Sequence, residues 1–229
     1  MRWLLLTALA LMLVAFPVAA QVPEAGKNQI VTTGMGRVEA EPNQAIVTVG
    51  VLVQRPTAAA ASAEAARVAD QILARLQQLG LRRPDIRTSG LQLTPVYSTP
   101  RDGAPTIVGY RASYTLTITL NDLKLVGPAI DESVKAGANT IAGISFGLRD
   151  ASAARREALT MAVRDAREKA DVIARAAGLQ IKGVERIVEE GVDVQVRTLE
   201  RALPAPAAPT PIEPGTVSVI ARVTAVFNF

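Results

Sequence analysis

Residues 110–120 alternate without a break. Tyr110, Ala112, Tyr114, Leu116, Ile118 and Leu120 face one way; Arg111, Ser113, Thr115, Thr117 and Thr119 face the other. A period of two with one apolar and one polar side is the pattern of a half-exposed antiparallel strand. Such a strand needs strand neighbours on its edges and cover on its apolar face. Two long amphipathic segments can supply the cover. Thr57 is placed to cap a helix running to about Leu79, with Ala61, Ala65, Val68, Ile72, Leu76 and Leu79 as its stripe. Asp150 or Ser152 starts a longer helix, to about Ala177. The fold class that follows is α+β, with two long helices and one short helix on one face of a largely antiparallel sheet.

The remaining segments complete the order β-β-α-β-β-α-β-α-β-β. Gln29 to Val38 reads as extended, interrupted at Gly34-Met35-Gly36, and Glu41-Pro42-Asn43 is a turn. Ala45 to Val53 follows, with Val47, Val49, Val51 and Val53 on one face and Ile46 and Leu52 on the other. Two apolar faces suggest cover on both sides, within the fold or in an assembly. The first two strands read as a hairpin. Strands are expected over 86–97, 140–148, 180–190 and 216–229. A short helix follows Asp122, with Leu123, Val126, Ile130 and Val134 as its stripe; Pro128 implies a kink or a start nearer Gly127. Gly80, Gly137 and Gly178 are the expected helix stops.

In the longest helix Leu159, Val163, Ala166, Ala170, Ile173 and Ala177 form a heptad-like seam. Alanine packs weakly between helices, so this helix is expected to lie close on a sheet rather than in a coiled coil. Asp165 with Lys169, and Asp171 with Arg175, are the expected i,i+4 pairs, worth about 0.3 kcal/mol each.

The N-terminus reads as an address. Arg2, an apolar run from Trp3 to Phe16, then Val18-Ala19-Ala20 before Gln21 match a secretory signal peptide cleaved after Ala20. Residues 21–28 form a polar leader, and 29–229 one domain with a proline-rich excursion at 198–215. The chain is expected to be exported, with no membrane segment left after cleavage. Without Arg2 the chain carries 24 basic and 21 acidic residues, interspersed, which argues against a nucleic-acid face. There is no cysteine and no histidine. Disulfides, thiolate or imidazole catalysis and metal sites built on those ligands are therefore excluded.

The remaining candidates each have a plainer structural explanation. Gly34-Met35-Gly36 has the look of a phosphate cradle, but a lone GxG in a strand more often marks a bulge or close packing. Glu189, Glu190 and Asp193 could bind a hard cation but lack the spacing of a calcium loop and read as a solvated acidic turn. Glu39 and Glu41 are an acid–base pair or two residues on one face of an edge strand. Tyr97, Tyr110 and Tyr114 line a ligand groove or pack in core and interface. Met35 and Met161 are oxidisable but too few for a scavenger. Terminal Phe229 has an outer-membrane-barrel flavour that the helices contradict. No catalytic, cofactor or metal-binding residue is assigned, and no cofactor is expected.

Five stretches together resemble the SIMPL-domain family. They are Gly34-Met35-Gly36 with Glu41-Pro42-Asn43-Gln44-Ala45; Leu79-Gly80-Leu81 continuing to Asp85-Ile86-Arg87-Thr88-Ser89-Gly90-Leu91; Gly109-Tyr110-Arg111-Ala112-Ser113; Ala136-Gly137-Ala138-Asn139-Thr140 with Gly143-Ile144-Ser145-Phe146; and Pro211-Ile212-Glu213-Pro214-Gly215. Pro42-Asn43 stands where Pro-Asp is the family pattern, a departure that touches a turn. The resemblance implies a periplasmic protein of α+β fold, forming ring- or channel-like homo-oligomers, with a protective role in oxidative or envelope stress. It implies no catalytic residue. The expected function is non-catalytic, acting through assembly and contact with an unidentified envelope protein. The alternative is a small-molecule binding module with a pocket between sheet and helices.

Overall fold

The computed structural model describes residues 28–99, 103–197 and 212–229. The expected signal peptide 1–20, the expected leader to residue 27 and the proline-rich stretch 198–211 lie outside the described residues. The elements run β1 (Gln29–Ala40), β2 (Gln44–Arg55), α1 (Ala58–Gln78), β3 (Ile86–Tyr97), β4 (Ile107–Leu120), α2 (Val126–Lys135), β5 (Thr140–Gly147), α3 (Ser152–Ala176), β6 (Gly183–Arg197) and β7 (Thr216–Asn228). The α+β class and the order of elements are those expected.

The strands divide between two antiparallel sheets, β1-β7-β6 and β3-β4-β2-β5. The expected hairpin of the first two strands is not formed. β1 pairs with β7, while β2 lies between β4 and β5. Asn43 shows why. Its backbone N–H donates to Gly147 O at 3.0 Å and its Oδ1 accepts from the Arg149 backbone N–H at 2.7 Å. The entry to β2 is thereby tied to the exit of β5 and turned away from β1.

In the four-stranded sheet the period-two reading of β4 holds. Ala112, Leu116, Ile118 and Leu120 are buried, and so is Thr117 on the other face. They meet Val47, Val49 and Val51 of β2 and Ala61, Ala65, Val68, Ile72 and Leu76 of α1, with Val126, Ala129 and Ile130 of α2. Ile46 and Leu52 point to the uncovered side, so this fold covers one face of β2 and not both. Val134, expected inward, is exposed; Ser133 is buried instead and its hydroxyl donates to Ala129 O at 2.6 Å. Pro128 sits in the first turn of α2, where its missing N–H has no intrahelical acceptor to lose. A short 3₁₀ turn, Leu123–Leu125, precedes it, capped by Asp122 Oδ1 accepting from Lys124 N at 3.0 Å.

All three helices end in the same way. Leu81 N bonds Leu76 O, Ala138 N bonds Ser133 O and Leu179 N bonds Ala174 O, at 3.1, 2.9 and 2.8 Å. This six-to-one closure needs a left-handed residue, supplied by Gly80 (φ +96°), Gly137 (φ +106°) and Gly178 (φ +71°).

The three-stranded sheet carries its own core. Val217, Val219, Ala221, Val223, Ala225 and Phe227 of β7 share the buried face, as their spacing predicts. The helix above them is α3, but in a different phase from the expected seam. The buried ridge is Ala158, Ala162, Ala166, Ala170 and Ala174, while Val163 and Ile173 are exposed. Alanine at every fourth position lets the helix backbone approach the sheet.

Candidate functional site

α3 lies directly against β1 at Gly34 and Gly36. A Cβ built on Gly34 would lie 2.0 Å from Ala162 O, and one on Gly36 would lie 1.9 Å from Ala158 O. Gly34-Met35-Gly36 therefore does not cradle phosphate. The helix backbone roofs both glycines, and β1 runs through them without interruption. An alanine methyl contributes far less by burial than a leucine or phenylalanine, which contributes about 1.5–3 kcal/mol. Polar ties supplement this contact. The buried Thr32 hydroxyl donates to Ala166 O at 2.8 Å. Asp165 Oδ2 accepts the Met35 amide at 2.8 Å, and Lys169 Nζ donates to Thr33 O at 3.0 Å and to Asp165 Oδ2 at 2.7 Å.

β1 is an edge strand, and exposed edge groups invite pairing with another chain. The Asp165–Lys169 pair covers one edge donor and one edge acceptor. Lys169 first, and then the Met35 amide, hold the Asp165 carboxyl below the usual aspartate range. The pair was legible in the sequence as an i,i+4 ion pair. Its reach across to a strand edge was not. The available signal is a glycine at alternate strand positions combined with an alanine at every fourth helix position. The second expected pair is corrected: Asp171 binds Arg167 Nε through both carboxylate oxygens, at 3.0 and 3.1 Å, whereas Arg175 donates to the Asp171 backbone carbonyl at 3.2 Å.

The carboxylate candidates have separate neighbours. Glu39 lies in β1 with Arg37, 4.0 Å away, while Glu41 follows the strand and borders a recess with Pro42, Leu123, Glu213 and Pro214. Residues 183–197 form one long strand, longer than expected, so Glu189, Glu190 and Asp193 are not on a turn. Asp193 binds Arg222 at 3.3 Å, Glu190 accepts the Thr224 hydroxyl, and Glu189 pairs in register with Val223. Among the described residues no group of three acidic side chains gathers as a metal site.

Tyr110 and Tyr114 are half-buried against the four-stranded core, and the Tyr114 and Thr88 hydroxyls are 3.0 Å apart. Tyr97 is exposed near the tip of the β3–β4 hairpin. In register, Leu91 stands opposite Tyr114, Leu93 opposite Ala112 and Pro95 opposite Tyr110. Leu91 and Leu93 are 64% and 44% exposed, and Ile107 and Val108 at the hairpin's far end are exposed too. Val184, Ile187, Val188 and Val194 of β6 are exposed as well. Phe229 packs on the α3 core and its amide donates to Asn28 O at 3.1 Å.

Two side-chain cores lie between sheets and helices, and a recess of about 250 Å³ opens beside the first, lined by Leu73 of α1, Arg83, and Ile86, Thr88 and Leu116 of the four-stranded sheet. A recess of about 520 Å³ lies elsewhere, at the C-terminal end of α3, lined by Arg167, Asp171, Arg175, Leu179 and Ile181. The Arg167 guanidinium beside it lies 5.5 Å from the Phe227 ring centre.

With this geometry established, the family model SIMPL, described as a protein of unknown function (DUF541), matches residues 30–227. The chain belongs to the SIMPL family. Similar proteins extend the comparison. The SIMPL chain is 34% identical over 165 residues to the "26 kDa periplasmic immunogenic protein" of Brucella melitensis, covering 70% of this chain and 65% of that protein. It is 32% identical over 176 residues to the "Uncharacterized protein YggE" of Escherichia coli K12, covering 75% and 71%. A YggE protein of Edwardsiella ictaluri is 30% identical over 163 residues, covering 71% and 67%. The SIMPL chain thus spans just under two thirds of the Brucella relative's length. Among its described residues no helix is long and apolar enough to cross a membrane.

Proposed function

We propose that this SIMPL protein is exported to the periplasm and acts there without catalysis, by assembling with copies of itself and contacting envelope proteins in stress defence. The observation that carries this reading is the apolar surface left open on strands. The outer half of the β3–β4 hairpin exposes Leu91, Leu93, Tyr97, Ile107 and Val108. Large apolar side chains left open on a strand, as at Leu91 and Leu93, are the kind of surface that serves as an interaction site. The relative named as periplasmic supports the location, and the signal-peptide pattern at residues 1–20 supports export.

The test is a double substitution, Leu91→Lys with Leu93→Lys, in residues 21–229. Both positions are exposed, so the fold is expected to survive, which circular dichroism checks. Assembly through the hairpin predicts a lower mass for the variant by light scattering. An unchanged multimer would remove the hairpin from the interface.

A further inference from the structure

α1 does not cover the whole inner face of the four-stranded sheet. It lies chiefly over β4 and β2, and the edge strand β3 runs out from beneath it. In register, Ile86 stands opposite Ile118, Thr88 opposite Leu116, Leu91 opposite Tyr114 and Leu93 opposite Ala112. Those β4 residues share the face packed toward α1, so Ile86, Thr88, Leu91 and Leu93 form one row on the inner face of β3. Ile86 is buried, whereas Leu91 and Leu93 are exposed. The recess of about 250 Å³ lies at the covered end of this row, between Leu73 of α1 and Ile86, Thr88 and Leu116 of the sheet. Arg83, in the 3₁₀ turn Arg83–Asp85 that leads into β3, lines it as well. The Thr88 hydroxyl is already paired with that of Tyr114. The recess therefore offers aliphatic walls and one cation.

Charge around the recess is one-sided. Asp85 is the acid of the turn, and Arg82 takes both of its carboxylate oxygens, at 2.9 and 3.0 Å. Arg82 first, and then Arg149, hold the Asp85 carboxyl below the usual aspartate range. Arg83 is exposed and, among the described residues, has no carboxylate partner.

We propose that this recess binds a small amphiphilic carboxylate, with its apolar chain against Leu73, Ile86 and Leu116 and its head on the Arg83 guanidinium. The volume falls below the about 300–1,000 Å³ of drug-sized ligand sites, which limits the buried part to a short acyl chain. A guanidinium meets a carboxylate through two parallel hydrogen bonds, and an uncharged head does not reproduce that pairing. The inference rests on Arg83 and the recess and is independent of the proposed assembly, which uses the outer half of the hairpin.

The experiment titrates residues 21–229 with sodium decanoate below its micelle concentration and follows methyl signals by NMR. The expected result is saturable shifts at Leu73, Ile86 and Leu116, with Val217 and Val219 of the other core unchanged. 1-Decanol has the same chain without the charge, and is expected to bind more weakly by about tenfold. Arg83→Ala is expected to lose about tenfold in affinity for decanoate and to leave decanol binding unchanged. Arg83→Lys keeps a cation and is expected to retain the preference for decanoate. Unchanged Val217 and Val219 signals check that each variant folds. Any of four results would overturn the proposal: no saturable shift at the recess methyls, shifts confined to Leu91 and Leu93, equal affinity for decanoate and decanol, or equal affinity for decanoate in the native protein and Arg83→Ala.

Discussion

Asn139 holds both backbone polar groups of Leu52. Its Oδ1 accepts the Leu52 N–H at 2.8 Å, and its Nδ2 donates to the Leu52 carbonyl at 2.8 Å. The Asn139 backbone N–H donates in turn to Gly50 O at 3.0 Å. Backbone pairing of β2 with β5 ends at Gly50 and Thr140, and the amide side chain extends it to Leu52. Ala136-Gly137-Ala138-Asn139 therefore has a structural explanation throughout: a left-handed glycine closes α2, and an amide side chain then imitates a strand.

Replacing Asn139 separates these roles. Asn139→Ala is expected to destabilise by about 1–2 kcal/mol, from two lost hydrogen bonds at an exposed site. Asn139→Asp is expected to be at least as costly near neutral pH, because a carboxylate accepts from the amide but repels the Leu52 carbonyl. Urea denaturation midpoints check both, and an aspartate variant as stable as the native protein would contradict the assignment.

Gly34→Ala and Gly36→Ala meet helix backbone at about 2 Å. Backbone is not free to swing aside, so each is expected to cost more than about 3 kcal/mol, at the severe end for single substitutions. Gly147→Ala is the control, since nothing lies within 4 Å of its Cβ position. It is expected to change stability by less than about 1 kcal/mol. Equal midpoints for Gly34→Ala and Gly147→Ala would refute the close approach of α3.

The Asp165 latch carries a pH signature. Its carboxyl is more acidic in the folded protein than in the unfolded chain, through Lys169 and the Met35 amide. The stability it adds is full above the unfolded value of about 4 and fades as pH falls toward the lower folded value. The stability gap between the native protein and Asp165→Asn is thus expected to be larger at neutral pH than in acid. Urea midpoints at the two conditions measure it, and a gap that stays constant would contradict the latch.

Surface ion pairs are expected to behave differently. Arg67 pairs with Glu64 at 2.8 Å on the open side of α1. Arg67→Ala is expected to shift stability only slightly, and by less still in high salt. Thermal melts at two salt concentrations suffice to check this.

Local patterns reached the elements and their ends, because period, caps and glycine stops are short-range facts. The stripe of α1 and the buried face of β7 were legible for that reason. Partner choice was not. β1 and β2 each alternate, and nothing in either says that Asn43 binds the far end of β5. The phase of α3 was misread because Leu159, Val163 and Ile173 outrank alanine in hydrophobicity. The glycines of β1, far away in sequence, select the alanines instead. β6 was cut short because Glu189, Glu190 and Asp193 look like a turn, whereas an exposed strand with partners on β7 accommodates them. Of the three tyrosines for which the sequence leaves groove and packing roles open, Tyr110 and Tyr114 lie against the core and Tyr97 is exposed, and the open leucines beside them are visible only once β3 is set in register.

The central claim is that the protein works as an assembly. Its most direct test is the mass of residues 21–229 by light scattering on a sizing column, with refractive index as the concentration signal because the one tryptophan, Trp3, precedes residue 21. The account predicts a defined multimer that persists on dilution. A mass equal to that of a single chain at all concentrations would contradict it.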